Sequence, residues 1–466
     1  MHFTMEPMET RELLADIASR ASTYLDAAQQ RRVSPSPEAL NTLAELDTAF
    51  PEEPLDPAEL VELLDQKAAP ATMINTAGRF FGFVNGGALP GSLAASWLVN
   101  AWDQNAGMRV SSPAAGLLEE VAIRWTAEAL HLPATGGGIV TGATMANFSA
   151  ILAARHALLA RQNWNVENDG LFGAPPINVV VGNEVHTSVL KALSLAGLGR
   201  NRIHRVPVDG QGRMKANQLP ALTPHTLVCV QAGNVNTGAF DPAQEICEKA
   251  SKTNAWVHVD GAFGLWAAAS PQYRHLTRGF DQADSWATDG HKWPNAGYDC
   301  GIVLVKDPQH LHAAMSATAA YLVTGAQREP MNYAPDMSRR ARGIEFWATL
   351  RSLGRQGLAE LIERTCAHAQ RFAKGLIEAG HEVLNDVVIN QVMVKFGTPE
   401  RTLAVIKRIQ DEGTCWAGST VWQGHTAMRI SVSSWATTEA DVDQSLNAIL
   451  NAARTTDPAR SGIETH

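Results

Sequence analysis

Seven short apolar runs in the middle of the chain, separated by helical segments and glycine-containing turns, limit the fold more than any other feature. They are Gly138–Thr141, Ile177–Val181, Arg202–Val206, Leu227–Gln231, Ala255–Val259, Ser285–Ala287 and Gly301–Val305. Runs this short and apolar on both faces read as strands covered on both sides, and their alternation with helices implies a mostly parallel sheet.

The flanks have a different character. From Thr10 to about Ala68, Leu13, Leu14, Ile17 and Ala21, then Leu40, Leu43 and Leu46, recur at helical spacing, broken by Pro35, Pro37 and the stretch 51–57. Residues 1–75 are therefore expected to form a helical segment, too short for a good core of its own and so packed on the main body or on a partner subunit. The α/β body takes 76–340. After Pro335 come a long helical stretch (Gly343–Gly380), a strand-like run (Val388–Phe396), a helix (Arg401–Glu412), a second strand-like run (Met428–Ser433) and a last helix from Thr438. These predict a small α+β C-terminal domain over 341–466, with a tail that frays from Thr455.

Composition narrows the class of function. With 466 residues, 45% of them hydrophobic and 18% charged, the chain can build a large core and is neither disordered nor fibrous. A net charge of −9 argues against a nucleic-acid partner, which needs a clustered basic footprint. The cysteines Cys229, Cys247, Cys300, Cys366 and Cys415 are odd in number and have no C-x-x-C spacing, so neither a disulfide framework nor a metal site is expected. Residues Met1–Arg20 lack the apolar stretch of a signal peptide, and no apolar run is long enough to span a bilayer. A cytoplasmic protein without a membrane partner is the expectation.

Four segments carry chemistry. Ser285-Trp-Ala-Thr-Asp-Gly-His-Lys-Trp293 puts Lys292 just past a strand, and lysine is the side chain that forms imines with aldehydes once its surroundings depress its pKa. Trp256-Val-His-Val-Asp260 ends an apolar strand on a carboxylate, at the strand end where α/β folds gather ligands; the alternative is that Asp260 caps the next turn. Gly136-Gly-Gly-Ile-Val-Thr-Gly-Ala-Thr-Met-Ala-Asn147 runs from a strand through a turn into a helix, so that backbone N–H groups at Ala143 and Thr144 can hold a phosphate; such turns also serve as packing punctuation. Val179–Ala192 places His186 at another strand-to-helix junction, where an imidazole can cover a cofactor ring or serve the fold alone.

In this combination and order the segments resemble the group II pyridoxal 5′-phosphate (PLP)-dependent decarboxylases, the family of aromatic L-amino acid, glutamate and related decarboxylases. The resemblance runs from about Arg79 to Asp443. Its anchors are His-Lys at 291–292, Val-Asp-Gly-Ala at 259–262, Val-His-x-Ser at 185–188 and Gly-Asn-Val-Asn-Thr-Gly-Ala-Phe-Asp-Pro at 233–242. It implies the aspartate aminotransferase-like PLP-enzyme fold (fold type I), a helical N-terminal flap, a small C-terminal domain, and a homodimer with active sites at the interface. It also implies that Lys292 binds PLP as a Schiff base, Asp260 pairs with the pyridinium nitrogen, His186 stacks on the ring and Ala262 packs beneath it. Ala143, Thr144 and His291 would hold the phosphate, and Asn234 stands near the ring where better-known members have threonine. The family's mobile loop bears a proton-donating tyrosine ahead of a Ser-Arg-Arg-like element. Here Arg328–Arg340 fits, which makes Tyr333 the candidate.

Val84-Asn-Gly-Gly87 departs from the aromatic-Pro-Thr segment of the aromatic-amino-acid enzymes, and Asp103–Arg109 is more polar than expected, so the substrate stays open. The implied reaction is loss of carbon dioxide from an L-amino acid to leave an amine. The alternatives are carbon–carbon cleavage or transamination on the same fold, and a PLP-binding scaffold that has lost catalysis.

Overall fold

The computed structural model describes residues 7–317 and 327–456. The chain opens with helices α1 (Pro7–Ala28), α2 (Pro37–Ala44) and α3 (Pro57–Leu63). Proline sits in the first turn of α2 and of α3, and Ser36 and Asp56 accept a backbone N–H at the two starts. Two of the prolines that interrupt the helical periodicity, Pro37 and Pro57, are thus helix starts, where a missing N–H costs nothing. Two further helices, α4 (Pro90–Trp102) and α5 (Pro113–Ala129), lead into the sheet.

The strands are β1 (Gly136–Val140), β2 (Asn178–Gly182), β3 (Ile203–Val206), β4 (Thr226–Gln231), β5 (Trp256–Asp260), β6 (Ser285–Asp289) and β7 (Gly301–Val305), in the spatial order β1-β7-β6-β5-β4-β2-β3. Strands β3, β2, β4, β5 and β6 are parallel neighbours, while β7 runs against both β6 and β1. Between them come α6 (Ala143–Ala160), α7 (Val166–Asp169), α8 (Thr187–Leu195) and α9 (Ala243–Ser251), and after β7 comes α10 (Pro308–Met315). Alternate residues of one strand enter opposite cores: Val180, Val228 and Val230 pack with Phe263, Trp266 and Trp286, whereas Val179, Val181 and Leu227 pack with Ile151, Leu158 and Val189. A sheet buried on both faces explains why its strands read as continuous apolar runs.

The remaining chain begins with α11 (Arg342–Glu378), which is broken at Gly354 where the backbone turns left-handed (φ 58°). A second sheet of β8 (Glu382–Val383), β9 (Gln391–Lys395), β10 (Gly418–Trp422) and β11 (His425–Ser431) is antiparallel throughout, in the order β10-β11-β9-β8. Helices α12 (Pro399–Glu412) and α13 (Glu439–Thr455) pack with it around Val392, Val394, Ile409, Met428, Ile430 and Ile449. Thr438 and Asp441 close a reciprocal capping box at the start of α13. This helix continues through Thr455, and the tail beyond Thr456 lies outside the described residues. Phe346, Leu350, Leu358 and Ile362 of α11 belong to the core under the large sheet, while Ala369, Phe372 and Leu376 belong to the core of the small one.

Candidate active site

The carboxyl ends of the parallel strands gather the candidate residues. Strand β1 ends at Val140 and the chain turns through Gly142 into α6, with Ala143 as its first residue and Thr144 next in the first turn. The start of β7 presses on this turn: a Cβ on Gly301 would lie 2.4 Å from Gly142 Cα, so glycine is required for the approach. The Ala143 N–H donates to Asp289 Oδ1 at 2.6 Å. The other N–H groups of the first turn and the helix dipole suit an anion there.

Asp260 is the last residue of β5 and is buried. Its Oδ1 accepts the Ala262 N–H at 3.3 Å. Burial raises its pKa above the usual carboxylate value, while the charges of His186 and Lys292 pull it back. Among the described residues no cation forms an ion pair with it. A buried carboxylate in this condition fits a protonated ring nitrogen.

His186 is the N-cap of α8. Its Nδ1 accepts the Ser188 N–H at 3.2 Å and lies 2.8 Å from Ser188 Oγ. With Nδ1 occupied as an acceptor, the proton of the neutral ring sits on Nε2. Burial lowers the pKa of His186, helped by the charges of Lys292 and Arg429.

Lys292 lies on the connection that doubles back from β6 to β7, and its Nζ is 3.3 Å from Asp289 Oδ2. The neighbouring His291 accepts the Cys300 N–H on Nδ1 at 3.1 Å, which leaves Nε2 as the donor, 3.6 Å from Asp289 Oδ1. Tyr298 stacks on His291 with ring centres 4.3 Å apart and donates to Asn85 Oδ1 at 2.6 Å. The Val84–Gly87 segment therefore lines the lysine: a Cβ on Gly86 would be 2.1 Å from the Lys292 carbonyl oxygen.

Lys292, His291, Asp260, Ala262, His186, Ala143 and Thr144 thus come to one end of the sheet. Asn234 is buried in the turn after β4, where its Oδ1 accepts the N–H groups of Asn236 and Thr237 at 2.9 and 3.2 Å and its amide donates to Gln231 Oε1 at 3.3 Å. Its hydrogen bonds build that turn.

Three further residues belong to the group. Asp289 ends β6 as Asp260 ends β5, and that position at a strand end was the signal available for it. Arg429 comes from β11, bonds only the Val235 carbonyl at 3.3 Å, and forms no ion pair among the described residues. Burial lowers its pKa. Asn147 is a fully buried amide inside α6. Nothing in the local sequence marks the last two, because distant parts of the chain bring them in.

Tyr333 departs from expectation. The segment Pro330–Tyr333 is a short 3₁₀ turn in which Pro330, Met331 and Asn332 are buried. The Tyr333 backbone presses on β1, where a Cβ on Gly138 would meet its carbonyl oxygen at 2.3 Å. Its ring lies under the Arg328 guanidinium at 4.5 Å and against His312 at 5.5 Å. None of these contacts reaches Lys292, Asp260 or His186, so within the chain Tyr333 is a packing residue at the sheet edge. Pro330 and Pro335 shape a packed turn here, where the resemblance implied a mobile loop. Tyr333→Ala is accordingly expected to lower the unfolding free energy by about 2–3 kcal/mol in urea denaturation, and Tyr333→Phe, which keeps the ring, by less than about 0.5 kcal/mol.

The model of the pyridoxal-dependent decarboxylase conserved domain matches residues 37–396 of this sequence. The chain belongs to the pyridoxal-dependent decarboxylases. This decarboxylase is a carboxy-lyase that acts on amino acids, and its cofactor is PLP. It is 29% identical to the aromatic-L-amino-acid decarboxylase of Drosophila lebanonensis over 371 residues, covering 74% of this chain and 90% of that protein. It is 30% identical to the acidic amino acid decarboxylase GADL1 of Homo sapiens over 345 residues, 71% of this chain and 65% of that protein. Among solved structures it is similar to Oryza sativa TDC with PLP and tryptamine (TM-score 0.89, 22% identity, 98% and 99% of the two chains) and to mouse CSAD in apo form (0.87, 21%, 96% and 99%). The expected fold class holds, with β7 as the antiparallel exception within a mostly parallel sheet. Among the described residues of the decarboxylase, no helix is long and apolar enough to cross a membrane.

Proposed function

We propose that this decarboxylase removes the α-carboxyl group of an L-amino acid with Lys292 as the imine-forming lysine. The observation that supports this reading is the convergence of a lysine amine, a buried carboxylate without a cation partner and a neutral imidazole beside a helix start. When bound, PLP supplies an aldehyde for imine formation and an electron-poor ring that takes up the electron pair left by departing carbon dioxide. Asp260 would hold a proton on the ring nitrogen, Thr144 and His291 would donate to the phosphate, as would Ala143 once its N–H leaves Asp289, and Ala262 would pack beneath the ring.

The substrate carboxylate needs a cation, and Arg429 is the half-buried guanidinium beside His186 with no carboxylate partner among the described residues. His186, with its proton on Nε2, is our candidate donor to the carbon that loses the carboxyl group. Arg429→Met is expected to raise KM for the amino acid about tenfold or more with a much smaller change in PLP affinity, as read by steady-state kinetics and a PLP titration.

We also place a second copy of the chain against α1 and α4. Leu14, Leu25, Trp97, Leu98 and Trp102 are exposed there, around a groove of ≈ 850 Å³. An apolar face of this kind suits a subunit interface. Trp435 links the groove to the lysine, since Asn295 Oδ1 accepts its N–H at 3.0 Å and the Asn295 N–H donates to the Lys292 carbonyl at 3.0 Å. Five buried cysteines without disulfides agree with a reducing, cytoplasmic setting.

The deciding experiment is a screen of the common L-amino acids for carbon dioxide release by the PLP-loaded enzyme. Equal amounts of carbon dioxide and amine from one class of amino acid are expected. A keto acid or an aldehyde without carbon dioxide would instead assign transamination or carbon–carbon cleavage.

A further inference from the structure

Asn147 has no exposed surface, and two hydrogen-bonded lines meet at its side chain. On one side, Oδ1 lies 2.8 Å from His258 Nε2, His258 Nδ1 lies 3.0 Å from Ser285 Oγ, and Trp256 Nε1 donates to that hydroxyl at 3.0 Å. On the other, Asn147 Nδ2 donates to Ser188 Oγ at 3.3 Å, and Ser188 Oγ is 2.8 Å from His186 Nδ1. The same amide is near enough to the Asp260 carboxylate to lower its pKa.

Every proton on this path has one consistent place. An amide oxygen only accepts, so His258 donates from Nε2 to Asn147 Oδ1 and its Nδ1 accepts from the Ser285 hydroxyl, which itself takes the Trp256 N–H. Burial depresses the pKa of His258 to about 3, so the ring is neutral and its one hydrogen lies on Nε2, directed at Asn147 Oδ1. One Asn147 Nδ2 hydrogen then goes to Ser188 Oγ, which leaves the other for the Asp260 side. Ser188 passes its hydroxyl hydrogen to His186 Nδ1, which returns the His186 proton to Nε2. The path runs in a single direction, from a core tryptophan on β5 to both site groups.

We infer that Asn147 is a positioning residue: its amide holds the Asp260 carboxylate and, through Ser188, fixes the His186 ring with its proton on Nε2. The inference rests on the roles proposed above for Asp260 and His186. A purely structural Asn147 would serve only to satisfy buried His258.

Alanine and serine at position 147 separate these cases, because they leave almost the same space while only serine keeps a hydrogen to donate. The charged and titratable groups around Asp260 are His186 at the start of α8, Lys292 and Asp289 after and at the end of β6, and the Cys229 thiol on β4. All of them are unchanged by the substitutions. Asn147 lowers the Asp260 pKa, so its replacement makes the carboxylate protonate at higher pH. The full-length protein would be titrated with PLP and followed by absorbance, and the pH dependence of carbon dioxide release would be measured alongside.

Asn147→Ala is expected to weaken PLP binding about 10- to 100-fold and to move the acid limb of kcat/KM to higher pH, with Asn147→Ser restoring most of both. Equal losses in the two variants, or PLP affinity and acid limb unchanged in Asn147→Ala, would overturn the inference. If the alanine variant fails to fold, Ser188→Ala, which cuts the line from Asn147 to His186, takes its place, and a pH profile and kcat/KM identical to the parent's in that variant overturn the inference. The PLP titration needs no substrate, so it decides the inference even where the screen for carbon dioxide release fails.

Discussion

Lys292→Ala is expected to remove the visible absorbance of lysine-bound cofactor and to lower turnover at least about 10⁴-fold. Lys292 is held between two antiparallel strands, its amine 3.3 Å from Asp289 and its carbonyl against Gly86, so no other amine has the same approach. The fold should survive, because Lys292 is only partly buried and the hydrogen bonds around its backbone do not depend on the side chain. Borohydride reduction of the PLP-loaded parent, followed by peptide mapping, checks the assignment. A pyridoxyl label on a different lysine would refute it.

Asp260→Ala is expected to cut decarboxylation about 10²- to 10³-fold and to weaken PLP binding by a similar factor. The carboxylate is buried without an ion-pair partner among the described residues, and a charge in that position is costly unless a bound cation offsets it. The apoprotein of the variant should therefore be no less stable than the parent, whereas PLP should raise the melting temperature of the parent much more than that of the variant. Thermal melts with and without PLP measure both quantities. Equal stabilisation of the two proteins by PLP would exclude Asp260 as the ring-nitrogen partner.

Much of this arrangement was legible in the sequence for a physical reason. A doubly covered sheet writes its strands as apolar runs, and the residue that ends each run faces the ligand edge, so Asp260, His186, Ala143 and Lys292 could be picked out from their positions. The antiparallel β7 was hidden, because an apolar pentapeptide has no direction of its own and the 290–300 connection looks like any other turn. The two-residue β8 carries too little pattern to be seen, and β10 alternates exposed and buried positions, unlike the all-apolar runs. Asn147 reads as an ordinary polar position in a helix until His258 and Asp260 arrive from β5. Arg429 becomes part of the site only when the second sheet docks. Tyr333 misled because it stands ahead of Ser-Arg-Arg as the loop tyrosine of the family would, whereas Gly138 of β1 lets that turn pack down on the sheet.

The long helix α11 has a consequence for how the molecule comes apart. Its first half is sealed under the large sheet and its second half under the small one, with the break at Gly354 inside the first part. Melting either core would strand one half of the helix with its apolar stripe in water, and an isolated half-helix is marginal on its own. Loss of one core therefore removes support from the other, and urea should unfold the two in a single cooperative transition despite the length of the chain.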